Sequence, residues 1–294
     1  MPAAAAIDER VACGERFFAA EHEGLARFCH GMAERFARGG RLVAFGSSPA
    51  DLSDVRHVAV EFVHPVIVGK RALPALGVPC ADAARTAGAL TIAFAAVGAE
   101  HELRVPTEDP FIAQEQVETA YHVLWELVHV FFEHRGLLAG RDEGPRHDTG
   151  ASSFLYPFLS ESEHDLDAVL ADVAGSVLAK AGEAAALRAA TLGEGREVLE
   201  AAARSLRACV DGGGHVLALG NGGSENVLAA LAQARRDGLV TIAFVGYDGG
   251  RILSEELADH VVVTRSEHIP RIQEAQASAW HVLRGLMELS LIHI

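Results

Sequence analysis

The chain has 294 residues, half of them hydrophobic, which is enough to bury a sizeable core in one large domain or two small ones. Its 25 basic and 40 acidic residues give a net charge of -15, which argues against a nucleic-acid-binding protein, since phosphate backbones require a concentrated basic surface. Four scattered cysteines form no CxxC pair, so we expect a reducing, cytoplasmic location with no disulfides and no thiolate zinc site. We also predict no signal peptide and no membrane span.

The first half of the chain begins with a long alanine-rich helical stretch, roughly Asp8 to Ala37. Residues 39–46 then predict a buried strand that ends in a glycine turn. A second short strand is expected near residues 87–94, where strand-forming residues are frequent. A helical pattern carrying Gln114 and His122 closes this half.

The second half repeats these signals in the same order. Helical sequence over residues 166–210 precedes predicted strands at 213–220 and 237–244, and a helix with Gln273 and His281 closes the half. The repetition predicts an internally duplicated α/β protein, a three-layer α/β/α sandwich whose parallel sheet is covered on both faces. We place the two domains at residues 1–135 and 164–290, with a linker at 136–163 and a tail at 291–294. The apolar ending has no helix stop signal, which suggests a truncated chain or a foreign tail.

Two helices carry side chains that could hold a metal ion. His57 and Glu61 are four residues apart and share one helical face, as do Gln114, Glu118 and His122 on the closing helix. If both helices pack on one sheet, a nitrogen and oxygen ligand set for zinc or a similar ion results, namely His57, Glu61, Gln114 and His122. The alternative from spacing alone is an exposed ion pair on a helix surface.

Two glycine turns follow a strand and precede a helix, where backbone amides and the helix dipole favour phosphate. We therefore take as candidate phosphate ligands Gly46, Ser47, Ser48, Gly220, Asn221, Gly222, Gly223 and Ser224. The alternative is that both segments are ordinary connections between a strand and a helix.

In combination these motifs resemble the sugar isomerase (SIS) domain, and the sedoheptulose-7-phosphate isomerase family in particular. The first half is similar through its glycine turn, its His57-x3-Glu61 helix and its Gln114-x7-His122 helix. The second half is similar through Gly220 to Ser224, the Thr-Ile-Ala-Phe run at 241–244 and Arg-Ile-Gln-Glu at 271–274.

The resemblance implies interconversion of an aldose and a ketose phosphate by proton transfer beside a divalent ion, most simply Zn²⁺. It implies that Glu61 is the base and His122 the acid, and that His57 and Gln114 complete the metal site and orient the substrate, with Gln273 a further candidate for substrate binding. A phosphorylated sugar is the expected ligand, and a homo-oligomer or an intrachain pseudo-dimer is the expected assembly.

Both halves depart from the family pattern. The serine-rich phosphate loop is not visible in the first half, and Asp51 stands near the place where a phosphate-binding serine is expected. The second half lacks the His-x3-Glu helix. These departures leave two alternatives to an isomerase. The chain is then either a non-catalytic module with a sugar-phosphate-binding or regulatory role, or a structural component of an assembly.

Overall fold

A computed structural model describes residues 3–45, 49–65, 70–78, 92–93, 101–133, 137–138, 165–216 and 225–289. This part of the chain is rich in helix and contains short parallel strands, consistent with the predicted α/β class. The duplicated three-layer sandwich stays a prediction. Among the described helices, none is both long and apolar enough to cross a membrane.

The elements follow one another along the chain as α1 (Ala3–Ala37), β1 (Leu42–Phe45), α2 (Pro49–Val63), β2 (Ala75–Val78), β3 (Ile92–Ala93), β4 (His101–Glu102), α3 (Pro110–Glu133), α4 (Leu166–Glu194), α5 (Arg196–Asp211), α6 (Glu225–Arg236), β5 (Ile242–Val245), α7 (Gly250–Ser254), β6 (His260–Val263) and α8 (Ile269–Leu289).

The chain divides into two compact units. The N-terminal unit comprises Gly14–Glu108 and Gln116–Ala181. The C-terminal unit comprises Met1–Cys13, Asp109–Glu115 and Gly182–Ile294. The domain boundaries expected from the sequence stay a prediction, and most of the expected linker, like residues 291–294, lies outside the described residues.

A βαβ arrangement positions α2 in the N-terminal unit. β1 and β2 pair in parallel, from Leu42 opposite Ala75 to Phe45 opposite Val78, and α2 lies between them in the chain. Gly77 allows this helix to approach β2, because a Cβ atom there would lie 2.6 Å from Val55 Cγ1. The close approach fixes the position of α2 over the strands.

Helix α3 begins at a well-formed cap. The Asp109 carboxylate accepts hydrogen bonds from the backbone amides of Phe111 at 2.8 Å and Ile112 at 3.2 Å, and Pro110 occupies the first helical position. Most of α3 then runs through the hydrophobic core of the N-terminal unit, whose largest fully buried side chains are Phe17, Phe18, Leu25, Phe62, Trp125, Leu127 and Phe131.

In the C-terminal unit, β5 and β6 pair in parallel, with Ile242 opposite His260 and Val245 opposite Val263. The apolar side chains of α5 and α8 form one core cluster with β6, and α6 and α7 form another with β5. The predicted second strand of this half is therefore present as β5. In the predicted first strand, 213–216 are not in strand conformation, and 217–220 lie outside the described residues.

Glycines stop α1 and α5 in the same way. Gly39 and Gly213 both have positive φ, at 83° and 79°. Beside them, the amides of Gly40 and Gly214 each donate to a carbonyl five residues earlier, both at 2.8 Å. The paired glycines seen in both halves of the sequence are thus helix stops.

A buried polar network in the C-terminal unit surrounds the Glu115 carboxylate. Arg10 Nε donates to Glu115 Oε1 at 3.0 Å, and Ser278 Oγ donates to Glu115 Oε2 at 2.7 Å. His281 Nδ1 lies 2.9 Å from Oε1, and Arg188 Nε lies 3.7 Å from Oε2 while donating to Ser278 Oγ at 2.6 Å. All five side chains are largely or fully buried, and the network connects the parts of α1, α3, α4 and α8 that belong to this unit.

Candidate active site

The His-x3-Glu pair lies one helical turn apart on α2, as its spacing predicts. His57 Nε2 is 3.4 Å from Glu61 Oε1. The His57 side chain is 27% exposed, whereas Glu61 is almost completely buried. The imidazole can therefore be reached from solvent, while the carboxylate lies beneath it.

Helix α3 presents three side chains to this pair. His57 Nδ1 is 3.6 Å from Glu118 Oε1, and the Tyr121 hydroxyl is hydrogen-bonded to the same nitrogen at 2.8 Å. The His122 ring packs edge-on against the His57 ring, with 5.1 Å between their centroids. The middle of α3 thus supplies a carboxylate, a phenol and an imidazole to one place.

The surrounding carboxylates change the acidity of His57. Burial disfavours the charged imidazolium, but the hydrogen bond to Glu61 and the negative charges of Glu118, Glu61 and Asp54 outweigh it, so the pKa of His57 is raised above its ordinary value. The neighbouring carboxylates therefore favour the protonated form of His57. A metal ion binds the neutral imidazole, so protonation and metal binding compete at this side chain.

The donor set fits a small divalent ion. One ligand atom each from His57, Glu118 and His122 lies within 4.8 Å of the other two. Two ligands of one tetrahedral zinc ion, each about 2.1 Å from the metal, are about 3.4 Å apart. The distance of 3.6 Å from His57 Nδ1 to Glu118 Oε1 is close to that value. The distance of 3.4 Å from His57 Nε2 to Glu61 Oε1 is also close to it, but it starts from the other nitrogen of the ring. Glu61 Oε2 is buried and accepts no hydrogen bond from the described residues, so one carboxylate oxygen remains available.

The remaining predicted site residues are distributed as follows. Gln114 is a half-buried residue of α3 and belongs to the C-terminal unit. It precedes His122 by eight residues, which is about 12 Å along the helix axis. Gln273 is on α8 and half-buried. The candidate phosphate ligands at 46–48 and 220–224 lie outside the described residues.

Two residues next to His57 are not among the predicted site residues. Glu118 shares a helical face with His122, which the spacing indicates, but the family pattern contains no ligand at its position. Tyr121 has no signal in the sequence, because a tyrosine beside a buried helix position is ordinary core. Only the packing of α2 on α3 brings it to His57.

Curated relatives match part of the chain. Over 70 residues it is 43% identical to the phosphoheptose isomerase of a Nitratiruptor species, a match that covers 24% of this chain and 36% of that protein. It is 35% identical over 71 residues to the phosphoheptose isomerase of Clostridium acetobutylicum, covering 24% and 35%. With the phosphoheptose isomerase of Thermodesulfovibrio yellowstonii it shares 33% identity over 93 residues, covering 31% and 45%.

The chain is related to the phosphoheptose isomerases. It spans about a third to just under half of the length of these relatives. No family model matches the chain. The relationship agrees with the resemblance found in the sequence motifs, and it concerns a segment of the chain.

Proposed function

We propose that the chain is a sugar-phosphate isomerase of the sedoheptulose-7-phosphate type, acting by metal-assisted proton transfer. The proposal rests on one observation: His57 and Glu61 on α2 lie next to each other, and the His57 ring contacts the His122 ring on α3. The similarity of one segment to phosphoheptose isomerases supports it independently.

The proton transfer is assigned to two side chains. Glu61 removes the proton from the carbon next to the substrate carbonyl and returns it to the neighbouring carbon. Its buried Oε2, which accepts no hydrogen bond from the described residues, is the oxygen suited to this task. His122 donates a proton to the carbonyl oxygen and takes up the proton of the neighbouring hydroxyl, so that the carbonyl moves from one carbon to the next and His122 returns to its starting form. Burial of both side chains keeps water away from the transferred proton.

The family resemblance assigns the metal to His57, Glu61, Gln114 and His122. A bound zinc or similar ion supplies Lewis-acid stabilisation of the negative oxygen that develops during the transfer. His57, the most exposed member of the described group, lies where substrate and ion can reach it.

The phosphate of the substrate is assigned to the glycine turns at 46–48 and 220–224, with Gln273 as a further contact. We also propose that the chain consists of two shortened SIS domains, that it acts in the cytoplasm, and that it assembles as a homo-oligomer or an intrachain pseudo-dimer. The two halves keep different motifs, so a complete site requires both halves or a second chain.

The test is an isomerase assay of the full chain with sedoheptulose 7-phosphate, after chelator treatment and after addition of zinc. We expect turnover that depends on zinc and is lost in Glu61→Gln. Absence of turnover under both conditions contradicts the proposal.

The same protein separates the isomerase from a non-catalytic binding module. In a binding module, sugar phosphate raises the melting temperature, zinc has no effect, and Ser224→Ala removes the rise while His57→Ala keeps it. A purely structural role predicts no effect of either ligand.

A further inference from the structure

The family-derived assignment gives Glu61 two tasks that conflict. As a metal ligand it donates an electron pair to a cation, and as a base it needs an electron pair for a proton. A carboxylate bound to a cation is a weaker base, because the nearby positive charge stabilises its ionised form. A second carboxylate beside the same imidazole would remove the conflict.

Glu118 is such a carboxylate. It is one helical turn before His122 on the same face of α3, and its Oε1 lies 3.6 Å from His57 Nδ1. With His57 and His122 it forms the compact group whose ligand atoms are all within 4.8 Å of one another. Two histidines and one glutamate, with a fourth position open, are a known ligand set of catalytic zinc.

Each nitrogen of the His57 ring faces a different carboxylate. Glu118 faces Nδ1, whereas Glu61 faces Nε2 at 3.4 Å. An imidazole binds one ion through one nitrogen, and metal-bound histidines commonly donate the other N–H to a carboxylate. An ion at Nδ1 therefore has Glu118 as its neighbour and leaves Glu61 as the acceptor at Nε2.

We propose that His57 Nδ1, Glu118 and His122 hold the divalent ion, and that Glu61 is not a ligand but accepts from His57 Nε2 and keeps its second oxygen for the substrate proton. This assignment rests on the proposed function and replaces Gln114 by Glu118 in the ligand set. A carboxylate is also the better partner for a dication than a neutral amide, since it brings a full negative charge.

Tyr121 gives the proposal a second consequence. Its hydroxyl is hydrogen-bonded to His57 Nδ1 at 2.8 Å, which is the nitrogen assigned to the ion. The ion and the hydroxyl compete for that nitrogen. Removing the hydroxyl in Tyr121→Phe is therefore expected to leave zinc affinity unchanged or to raise it. If Nε2 were the ligand, Tyr121 would instead support the imidazole from behind, and its loss would weaken zinc binding.

The experiment is a zinc titration of the full chain against a chromophoric chelator, with no substrate present. We expect Glu118→Gln to weaken zinc binding by more than about 100-fold, and Glu61→Gln, which loses only an outer partner, by about 10-fold. Gln114→Ala is expected to bind like the wild type, and so is Glu133→Gln, which removes a carboxylate from the same helix outside the group. Circular dichroism checks that each variant is folded.

Three results overturn the proposal. They are a larger loss of zinc affinity in Glu61→Gln or Gln114→Ala than in Glu118→Gln, weaker zinc binding in Tyr121→Phe, and no zinc binding by the wild type. Wild-type turnover, measured on the same samples with and without chelator, tests the proposed function separately. A chain that isomerises sugar phosphate after zinc removal keeps its activity assignment but loses the metal-assisted step, and the zinc titration alone then decides the ligand assignment.

Discussion

Replacing Glu115 with alanine should destabilise the C-terminal unit strongly. The Glu115 carboxylate is fully buried and holds Arg10, Ser278 and His281 at 2.7 to 3.0 Å, with Arg188 at 3.7 Å. The substitution leaves two buried guanidinium groups without their carboxylate. Removing one partner of a buried ion pair costs about 3 to 5 kcal/mol, because the remaining charge is neither solvated nor neutralised. We expect a loss of this size in the free energy of unfolding.

The assay is urea unfolding followed by circular dichroism, with Glu288→Ala as the matched control. Glu288 is exposed and pairs with Arg284 at 2.9 Å one turn away on α8, in the same unit, so its loss should cost less than about 1 kcal/mol. A cost for Glu115→Ala as small as that of the control would refute the view that this network holds the unit together.

The effect should also depend on pH. Burial alone would raise the pKa of Glu115, but the hydrogen bond from His281 and the charges of Arg188 and Arg10 outweigh it, so this pKa lies below its ordinary value of 4.5. The ionised carboxylate therefore contributes stability above pH 4.5, and this contribution is lost as the pH falls through the lower pKa of the folded state. The difference in unfolding free energy between wild type and Glu115→Gln should shrink as the pH falls below 4.5.

Three further predictions concern the N-terminal unit, each measured by urea unfolding. Phe131→Ala, in the centre of the core at 0% exposure, should cost about 3 to 5 kcal/mol through the cavity it leaves. Gly77→Ala should cost about 1 to 3 kcal/mol by overpacking against Val55, and Val55→Ala in the same chain should restore part of the loss. Burial and the charge of Lys70 lower the pKa of His129 to about 4, so the unfolded chain binds a proton at higher pH than the folded one. The free energy of unfolding of the wild type should therefore fall by about 2 kcal/mol more than that of His129→Gln when the pH is lowered from 7 to 5.

Strands and helices with simple patterns were predictable. β1 and β5 are short apolar runs next to glycines, and both are strands where the sequence predicted them. β2 was not predicted, because Gly77 lowers its strand propensity, and it is a strand only through its pairing with β1 and its contact with α2. The helical stretch over residues 166–210 is two helices, since Gly195 separates α4 from α5.

The site residues on α2 and α3 were predicted from their spacing in the sequence. Spacing shows which side chains share a helical face, but it does not show what that face contacts. The i,i+4 spacing of His57 and Glu61 correctly predicted that they lie side by side. Gln114 and Glu118 both share a face with His122, so the sequence could not decide which of them lies beside His57. The contact of Glu118 with His57 comes from the packing of α2 on α3, which depends on Gly77, Val55 and the core rather than on the motif itself.

The two Gln-x7-His helices illustrate how little the motif alone specifies. His122 lies against His57 in a group that contains two carboxylates, which is an environment suited to a cation. His281, at the same spacing in the other half, is bound to Glu115, a carboxylate already neutralised by Arg10 and Arg188. A cation gains little at His281, because the carboxylate beside it has its charge compensated by two buried guanidinium groups. We therefore assign the proposed proton transfer to the α2 and α3 pair and expect that zinc bound by the wild type is lost in His122→Ala and retained in His281→Ala.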